Sequence, residues 1–249
     1  MKISVITVCY NSAATLSRAL QSVADQDCAR IEHIIVDGAS TDGSLAIIER
    51  FRSKLAHVVS EADDGIYDAM NKGLERATGD IVCFLNSDDQ YAHSRVLSQV
   101  VTQMGDLDLD ALLGDVGFFR ARDPMRMVRR YRSDRFSPSR LAWGWMPAHP
   151  ALFLSKAVVR RVGRFNPSYR IAADFEFIVR VFHNHPVRYR HLAEVLVHMQ
   201  TGGASTNGWR SKILLNREVL RACREHGLQT NLFKILSKYP AKALEYFKK

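Results

Sequence analysis

Residues 84–90 read FLNSDDQ. Ile81, Val82, Phe84 and Leu85 read as a buried strand, yet Asp88 and Asp89 follow at its carboxyl end with no basic residue until Arg95. Two adjacent carboxylates therefore stand at the mouth of a sheet. Upstream, ADDG precedes Ile66, Met70, Leu74 and Ala77, whose helical spacing predicts a helix that Gly79 stops. Before it lie a strand AHVVS and a helix carrying Leu45, Ile48 and Phe51, capped by Thr41 or Asp42. Further back come a strand HIIVDG, a helix with Leu16, Leu20 and Val23 on one face, and a first strand ISVITVC. Strand and helix alternate over a hundred residues, which predicts an α/β fold with a mostly parallel sheet.

Beyond residue 105 the rhythm changes. ALLGDVGFFR and MRMVRRYR read as antiparallel strands, and residues 120–140 hold eight arginines. WGWMPAHPALFLSK follows, then a helix from about Asp174 to His185, a strand pair, and the loop TGGASTNG. From Trp209 onward the sequence reads as helices.

The chain has 249 residues, of which 47% are apolar, enough for a real core and too much for a disordered protein. No apolar stretch approaches the roughly 18 to 20 residues that span a bilayer. The opening MKISVITVCY alternates with Ser4 and Thr7 and runs into Asn11, so it reads as a first strand of a cytoplasmic protein and not as a signal peptide. Cys9, Cys28, Cys83 and Cys223 form no CxxC pair and indicate neither a zinc site nor a disulfide framework. The net charge of +9 points to an anionic partner: nucleic acid, a membrane surface or a phosphorylated substrate.

Ligands of open parallel sheets settle outside the carboxyl ends of the strands. Asp37, the pair Asp63 and Asp64, and the pair Asp88 and Asp89 all stand at such ends. Crowded carboxylates repel one another unless a cation or a hydrogen-bonding ligand offsets the charge. A hard divalent ion, Mg²⁺ or Mn²⁺, with a substrate diphosphate meets that need. Taken singly, each acid also suits a helix cap or a solvated turn.

VITVCYN, IIVDGASTDGS and FLNSDD, in this order and at these separations, resemble the inverting family 2 glycosyltransferases of GT-A fold. The likeness covers residues 1 to about 205 and is greatest to the bacterial branch that builds surface polysaccharides. It implies a catalytic domain over 1–205, with a donor half 1–105 and an acceptor half 106–205, and a helical extension over 206–249. It further implies that Thr7, Tyr10 and Asn11 hold the nucleobase and ribose of a nucleotide-sugar donor, that Asp37 bonds the base, and that Asp64 sits beside the same pocket. Asp88 would touch ribose or metal, and Asp89 would ligate the metal.

The catalytic base implied is Asp174 in IAADFEFIVR, where Ala173 replaces a common Glu and Glu176 is an alternative. Met70 occupies a position where relatives often place Arg, leaving Lys72 or a later arginine to supply the charge. His149 either faces the acceptor or packs against Trp143 or Trp145. His198 and the loop of Gly202 and Gly203 either close over the donor phosphates or form a plain turn.

The tail sets Leu232, Phe233, Ile235, Leu236, Leu244 and Phe247 against Lys234, Lys238, Lys242, Lys248 and Lys249, with Pro240 as a break. That pattern suits an inner-leaflet membrane surface near a lipid-linked or glycan acceptor, or packing on the domain or on a second copy in a homo-oligomer. A sugar nucleotidyltransferase would need a Gly-rich loop where CYNSAAT stands. A basic nucleic-acid-binding module would leave the strand-end acids without a purpose, and nucleic acid is not the expected partner.

Overall fold

The computed structural model of the chain describes residues 1–120, 123–201 and 208–239. In chain order the elements are β1 (Ile3–Cys9), α1 (Leu16–Ala24), β2 (Ile31–Asp37), α2 (Ser44–Arg50), β3 (His57–Ser60), α3 (Ile66–Arg76), β4 (Ile81–Phe84), β5 (Gln90–Tyr91) and α4 (Val96–Asp106). The second half holds β6 (Ala111–Arg120), β7 (Asp123–Tyr131), β8 (Leu152–Ser155), α5 (Lys156–Val162), α6 (Ala173–Phe182), β9 (Tyr189–Gln200), α7 (Gly208–Glu225) and α8 (Leu232–Leu236). The strands lie in one sheet ordered β3-β2-β1-β4-β8-β6-β9-β5, with β7 on β6.

β3, β2, β1 and β4 are mutually parallel, as the alternation of strands and helices requires, and β1 is buried along its whole length. The chain then departs from that regime: β8 runs antiparallel to both β4 and β6, and β9 lies parallel to β6. Where a strand pair was expected after residue 185, one twelve-residue strand stands, shifting register against β6 near Asp115. β8 was hidden in the WGWMPAHPALFLSK segment because a four-residue apolar run carries too little period to show itself.

Helix rotation is set by side-chain hydrogen bonds as well as by apolar spacing. The Ser44 hydroxyl is wholly buried and accepts the Ser12 amide at 2.8 Å, which turns Ile47 and Ile48 inward and leaves Leu45 exposed. Asp42 rather than Thr41 serves the start of α2, accepting the amides of Ser44 at 2.9 Å and Ala13 at 3.0 Å. In α3 the buried stripe begins at Tyr67, and Ile66 is exposed. The Asn71 amide group, buried in that stripe, bonds both the N–H and the C=O of Phe165 at 2.8 and 2.9 Å, tying the first half of the chain to the second.

α7 is part of the core. Val219, Ala222, Cys223 and Leu228 join Ile235 of α8 in the same apolar cluster as Ile6, Phe84 and Phe177. No helix among the described residues is long and apolar enough to cross a membrane.

Candidate active site

The carboxyl ends of β1, β2, β3 and β4 converge as expected. The β1–α1 turn is lashed to the β2–α2 turn: Asn11, in the left-handed region at φ 47°, accepts the Thr41 amide at 2.9 Å and donates its own amide to Ser40 Oγ at 2.8 Å. Asn tolerates this conformation better than most residues. Tyr10 projects from the same turn, 62% exposed. Asp37 closes β2, fully buried, with Oδ2 accepting the Ser40 amide at 3.0 Å and the Ser60 hydroxyl at 2.8 Å. Beside it Gly38 lies so near Asp63 that a Cβ there would come within 2.4 Å of Asp63 Oδ2 and 3.4 Å of the Tyr10 ring. An exposed aromatic face, a backbone without a side chain and two acids make a slot of the kind that a flat polar ring fills.

Of the two acids in ADDG, it is Asp63 that stands against Gly38. Asp64 is exposed, and its amide points back to Asp68 at 3.2 Å. The resemblance put Asp64 beside that pocket, but which of two neighbours turns inward depends on the loop, where Asp63 Oδ1 accepts the Gly65 amide at 2.9 Å.

The turn after β4 carries the acid pair. Its amide-to-carbonyl bond from Asp89 to Asn86 closes at 3.1 Å, and Ser87 donates to Ser12 Oγ at 2.9 Å, joining this turn to the β1–α1 turn. Asp88 is exposed. Asp89 is 1% exposed, and neither of its carboxylate oxygens has a hydrogen-bond partner; the buried Asn86 Oδ1 also lacks one. Burial, aided by the charge of Asp88, pushes the Asp89 carboxyl well above the ordinary range. Buried polar atoms are nearly always paired, so this trio points to a missing partner. Asp88 and Asp89 line a cleft with Arg18, Arg120 and His198. β5 brings His198 there, since Gln90 pairs with it across the β5–β9 ladder. Burial lowers the His198 imidazole, favouring its neutral form.

The residues present fit a hard divalent cation. Oxygen donors from one or two carboxylates, completed by substrate phosphates, are what Mg²⁺ takes. Among the described residues no three His, Cys, Asp or Glu side chains gather into a protein cage, which leaves the remaining positions to such phosphates.

Phe84, the last residue of β4, faces the other way and stacks on His149, with ring centroids 5.7 Å apart. His149 therefore packs against Phe84 and Phe165. Asp174 opens α6 nearby, its Oδ1 accepting the Phe175 amide at 2.7 Å with the Tyr67 hydroxyl 3.4 Å away. That hydroxyl donates to the Ile171 carbonyl at 2.5 Å. Burial raises the Asp174 carboxyl, opposed by the neighbouring His149.

The approach to α6 rests on a residue that sequence reading missed. Glu218 of α7, buried, accepts the amides of Arg170, Ile171 and Ala172 at 2.8, 2.9 and 2.8 Å. No local pattern marks a glutamate that serves a loop 46 residues away. Glu176 is not a second base: Arg180 and His226 engage its carboxylate at 2.7 and 2.9 Å in the interior.

Other assignments are corrected. Thr7 is enclosed in β1 with its hydroxyl 3.0 Å from His33 Nε2, so it presents no surface to an open cleft, and Tyr10 and Asn11 stand in the turn that follows β1. Met70 lies in the core. Lys72 is engaged by the Ala62 carbonyl at 2.8 Å and by Glu61 at 2.9 Å, so the cations of the cleft are Arg18, which the sequence did not single out, and Arg120 from the arginine-rich stretch. Gly202 and Gly203 lie outside the described residues, as do Pro240, Lys242, Leu244, Phe247, Lys248 and Lys249.

Comparison with known proteins agrees with this architecture. Residues 4–160 match the family described as Glycosyl transferase family 2. A "PGL/p-HBAD biosynthesis glycosyltransferase" of Mycobacterium bovis is 32% identical over 218 residues, which are 86% of this chain and 82% of that protein. The crystal structure of S. aureus TarS 1-349 in complex with UDP-GlcNAc superposes with a TM-score of 0.74 at 24% identity, over 93% of this chain and 68% of that one. The mannosyltransferase PcManGT from Pyrobaculum calidifontis, in complex with GDP-Man and Mn²⁺, gives a TM-score of 0.66 at 22% identity, over 95% and 68%. These two likenesses fix the fold as GT-A, and with most of the chain matched by the sequence family, the protein is a member of glycosyl transferase family 2.

Proposed function

We propose that the protein transfers a sugar, with inversion, from a UDP-sugar to a hydroxyl of a glycan or lipid-linked acceptor in the building of cell-surface polysaccharide. The observation that carries this reading is the buried, unpartnered carboxylate of Asp89 on the cleft that Asp88 and His198 also line. The mycobacterial relative is named for a biosynthetic glycosyltransferase, which supports the reaction class; TarS is seen with UDP-GlcNAc, which supports a UDP-sugar donor, and PcManGT with GDP-Man and Mn²⁺, which supports a metal. A nucleic-acid-binding module would give Asp89 no purpose, and a buried carboxylate at the cleft would repel phosphate.

In this reading Tyr10 and Gly38 receive the base, and Asp37 and Asp63 accept its N–H groups. Asp88 and Asp89 would hold Mn²⁺ or Mg²⁺, which when bound would stabilise the charge that develops on the leaving diphosphate. Arg18 and Arg120 add positive charge at the same cleft. Asp174 takes the proton of the acceptor hydroxyl as that oxygen attacks the anomeric carbon from the face opposite the leaving group. A carboxyl raised by burial is a stronger base once ionised, which matches the task.

α8 exposes Leu232, Phe233 and Leu236 beside Lys234, which sits over the Trp143 ring at 5.5 Å. We assign this face to an anionic inner-leaflet surface, where a lipid-linked acceptor resides. Flotation with anionic vesicles, compared between the intact chain and a Phe233→Ser variant, tests that assignment; equal flotation would remove it.

The test of the main reading is thermal stabilisation by a panel of nucleotide sugars with and without Mn²⁺, followed by nucleotide release from the most effective one. Metal-dependent stabilisation by one nucleotide class is expected. Stabilisation by none would overturn it.

A further inference from the structure

Tyr67 and Asn71 stand one turn apart on α3, and both grip the second half of the chain. Asn71 holds the backbone of Phe165, and the Tyr67 ring stacks on the Phe165 ring with centroids 5.8 Å apart. The phenol is thereby carried to the start of α6, where two oxygens meet it: the Ile171 carbonyl at 2.5 Å and Asp174 Oδ1 at 3.4 Å. A phenol has a single proton to give. In this state the carbonyl holds it, and a turn about the phenol C–O bond redirects it to the carboxylate.

The two oxygens of Asp174 are not equivalent. Oδ1 accepts the Phe175 amide at 2.7 Å and is the one that Tyr67 approaches. Oδ2 receives no hydrogen bond from the described residues and, unlike both oxygens of Asp89, is not among the buried atoms left without a partner. Asp174 is half-buried, so Oδ2 is its outward oxygen. The other titratable groups nearby are committed or neutral. From the segment before β8, His149 is kept neutral by burial. From α7, Glu218 is taken by the amides of Arg170, Ile171 and Ala172, and on α6 itself Glu176 is engaged by Arg180 and His226. Among the described residues Tyr67 supplies the only side-chain hydrogen bond to this carboxylate. Burial, with the charge of Asp174, keeps the phenol protonated far beyond neutral pH, so it acts as a donor and not as a base.

We propose that Tyr67 is a positioning residue for the base: with the Phe175 amide it fixes Oδ1 of Asp174 and leaves Oδ2 to take the proton of the acceptor hydroxyl. The inference rests on the reading of Asp174 as base. While Asp174 is ionised, its Oδ1 is a stronger acceptor than a neutral carbonyl and draws the phenol proton away from Ile171. The acceptor O–H bond then breaks and its proton passes to Oδ2. The acceptor oxygen bonds to the sugar C1 while the bond from C1 to the phosphate oxygen breaks, and the nucleoside diphosphate departs with the electron pair. Once neutralised, the carboxyl competes less well and the phenol returns to the Ile171 carbonyl. The proton on Oδ2 passes to water as the products leave.

The test is Tyr67→Phe, which keeps the ring that packs on Phe165 and removes only the hydroxyl. Carbon-13 NMR of the aspartate carboxyl carbons in the full chain, with Asp174 assigned by its loss in Asp174→Asn, reads the contact directly. A carboxylate that loses a donor is harder to ionise, so Asp174 in Tyr67→Phe should release its proton about 0.5 to 1 pH unit higher than in the parent. The acid limb of the kcat profile should move up by the same interval with KM for the nucleotide sugar unchanged, and the deficit in turnover should be greatest below the limb. Unchanged titration of Asp174 in Tyr67→Phe, with Asp174→Asn inactive, would overturn the positioning alone. So would an equal loss of turnover at every pH with the limb in place, which is what a merely structural role gives. Full turnover by Asp174→Asn would overturn the positioning and the base together.

Discussion

Asp88 and Asp89 are neighbours in the chain and opposites in environment: the first stands in solvent, while the second is buried with both carboxylate oxygens unpartnered and its acidity weakened by burial and by the first. That arrangement is unfavourable for the chain alone and becomes favourable when a cation arrives. Asp89→Asn should therefore leave the ligand-free protein at least as thermostable as the parent, while abolishing stabilisation by Mn²⁺ with nucleotide. Differential scanning fluorimetry reads both effects. A loss of stability in the ligand-free state with retained metal response would contradict the assignment.

Asp174 and Glu176 lie two residues apart and should fail differently. Asp174→Asn should reduce turnover by roughly 10²- to 10⁴-fold with nucleotide affinity unchanged. Glu176→Gln removes the charge that Arg180 and His226 surround and should cost about 3 kcal/mol of stability. Urea melts alongside nucleotide-release kinetics separate the two.

Gly38→Ala tests the slot for the base. A methyl group 2.4 Å from Asp63 Oδ2 must push that carboxylate away or occupy its place. Nucleotide affinity measured by calorimetry should fall about tenfold, equivalent to about 1.4 kcal/mol. The melting temperature should change little, because Asp63 and Tyr10 are at the surface side of the slot.

Glu218→Ala should disturb catalysis from a distance. Three backbone amides before α6 lose their acceptor at once, and hydrogen bonds to charged groups contribute about 1.5 to 3 kcal/mol each. Both the melting temperature and kcat should fall, and binding of nucleotide, which uses the other half of the sheet, should survive.

His33 gives a pH dependence with a definite sign. Complete burial lowers its imidazole from the ordinary 6.5 to about 3. Between these values the unfolded chain binds a proton at this position and the folded chain does not, so stability falls as pH falls through that window, by about 1.4 kcal/mol per unit. His33→Gln, which keeps a partner for Thr7, should flatten the difference between denaturant melts at pH 7 and pH 5 by about 2 kcal/mol.

The parallel half of the sheet, α1, and the convergence of Asp37, Asp88 and Asp89 at one edge were legible in the amino-acid sequence, because strand alternation, helical spacing and acids at strand ends are local patterns imposed by backbone geometry. α2 and α3 were legible in place and not in rotation, since Leu45 and Ile66 stand outward while Ser44, which accepts the Ser12 amide, and Tyr67, which donates to the Ile171 carbonyl, turn inward through bonds that no spacing encodes. Tertiary structure alone decided that Asp63 and not Asp64 faces Gly38, that Thr7 is enclosed, that His198 and Arg18 meet the acid pair, and that Glu218 supports the entry to α6. Each of these is a contact between residues far apart in the chain, or a choice between neighbours, settled by which polar atoms find partners when the core closes; the sequence holds the atoms, and only the closed packing pairs them.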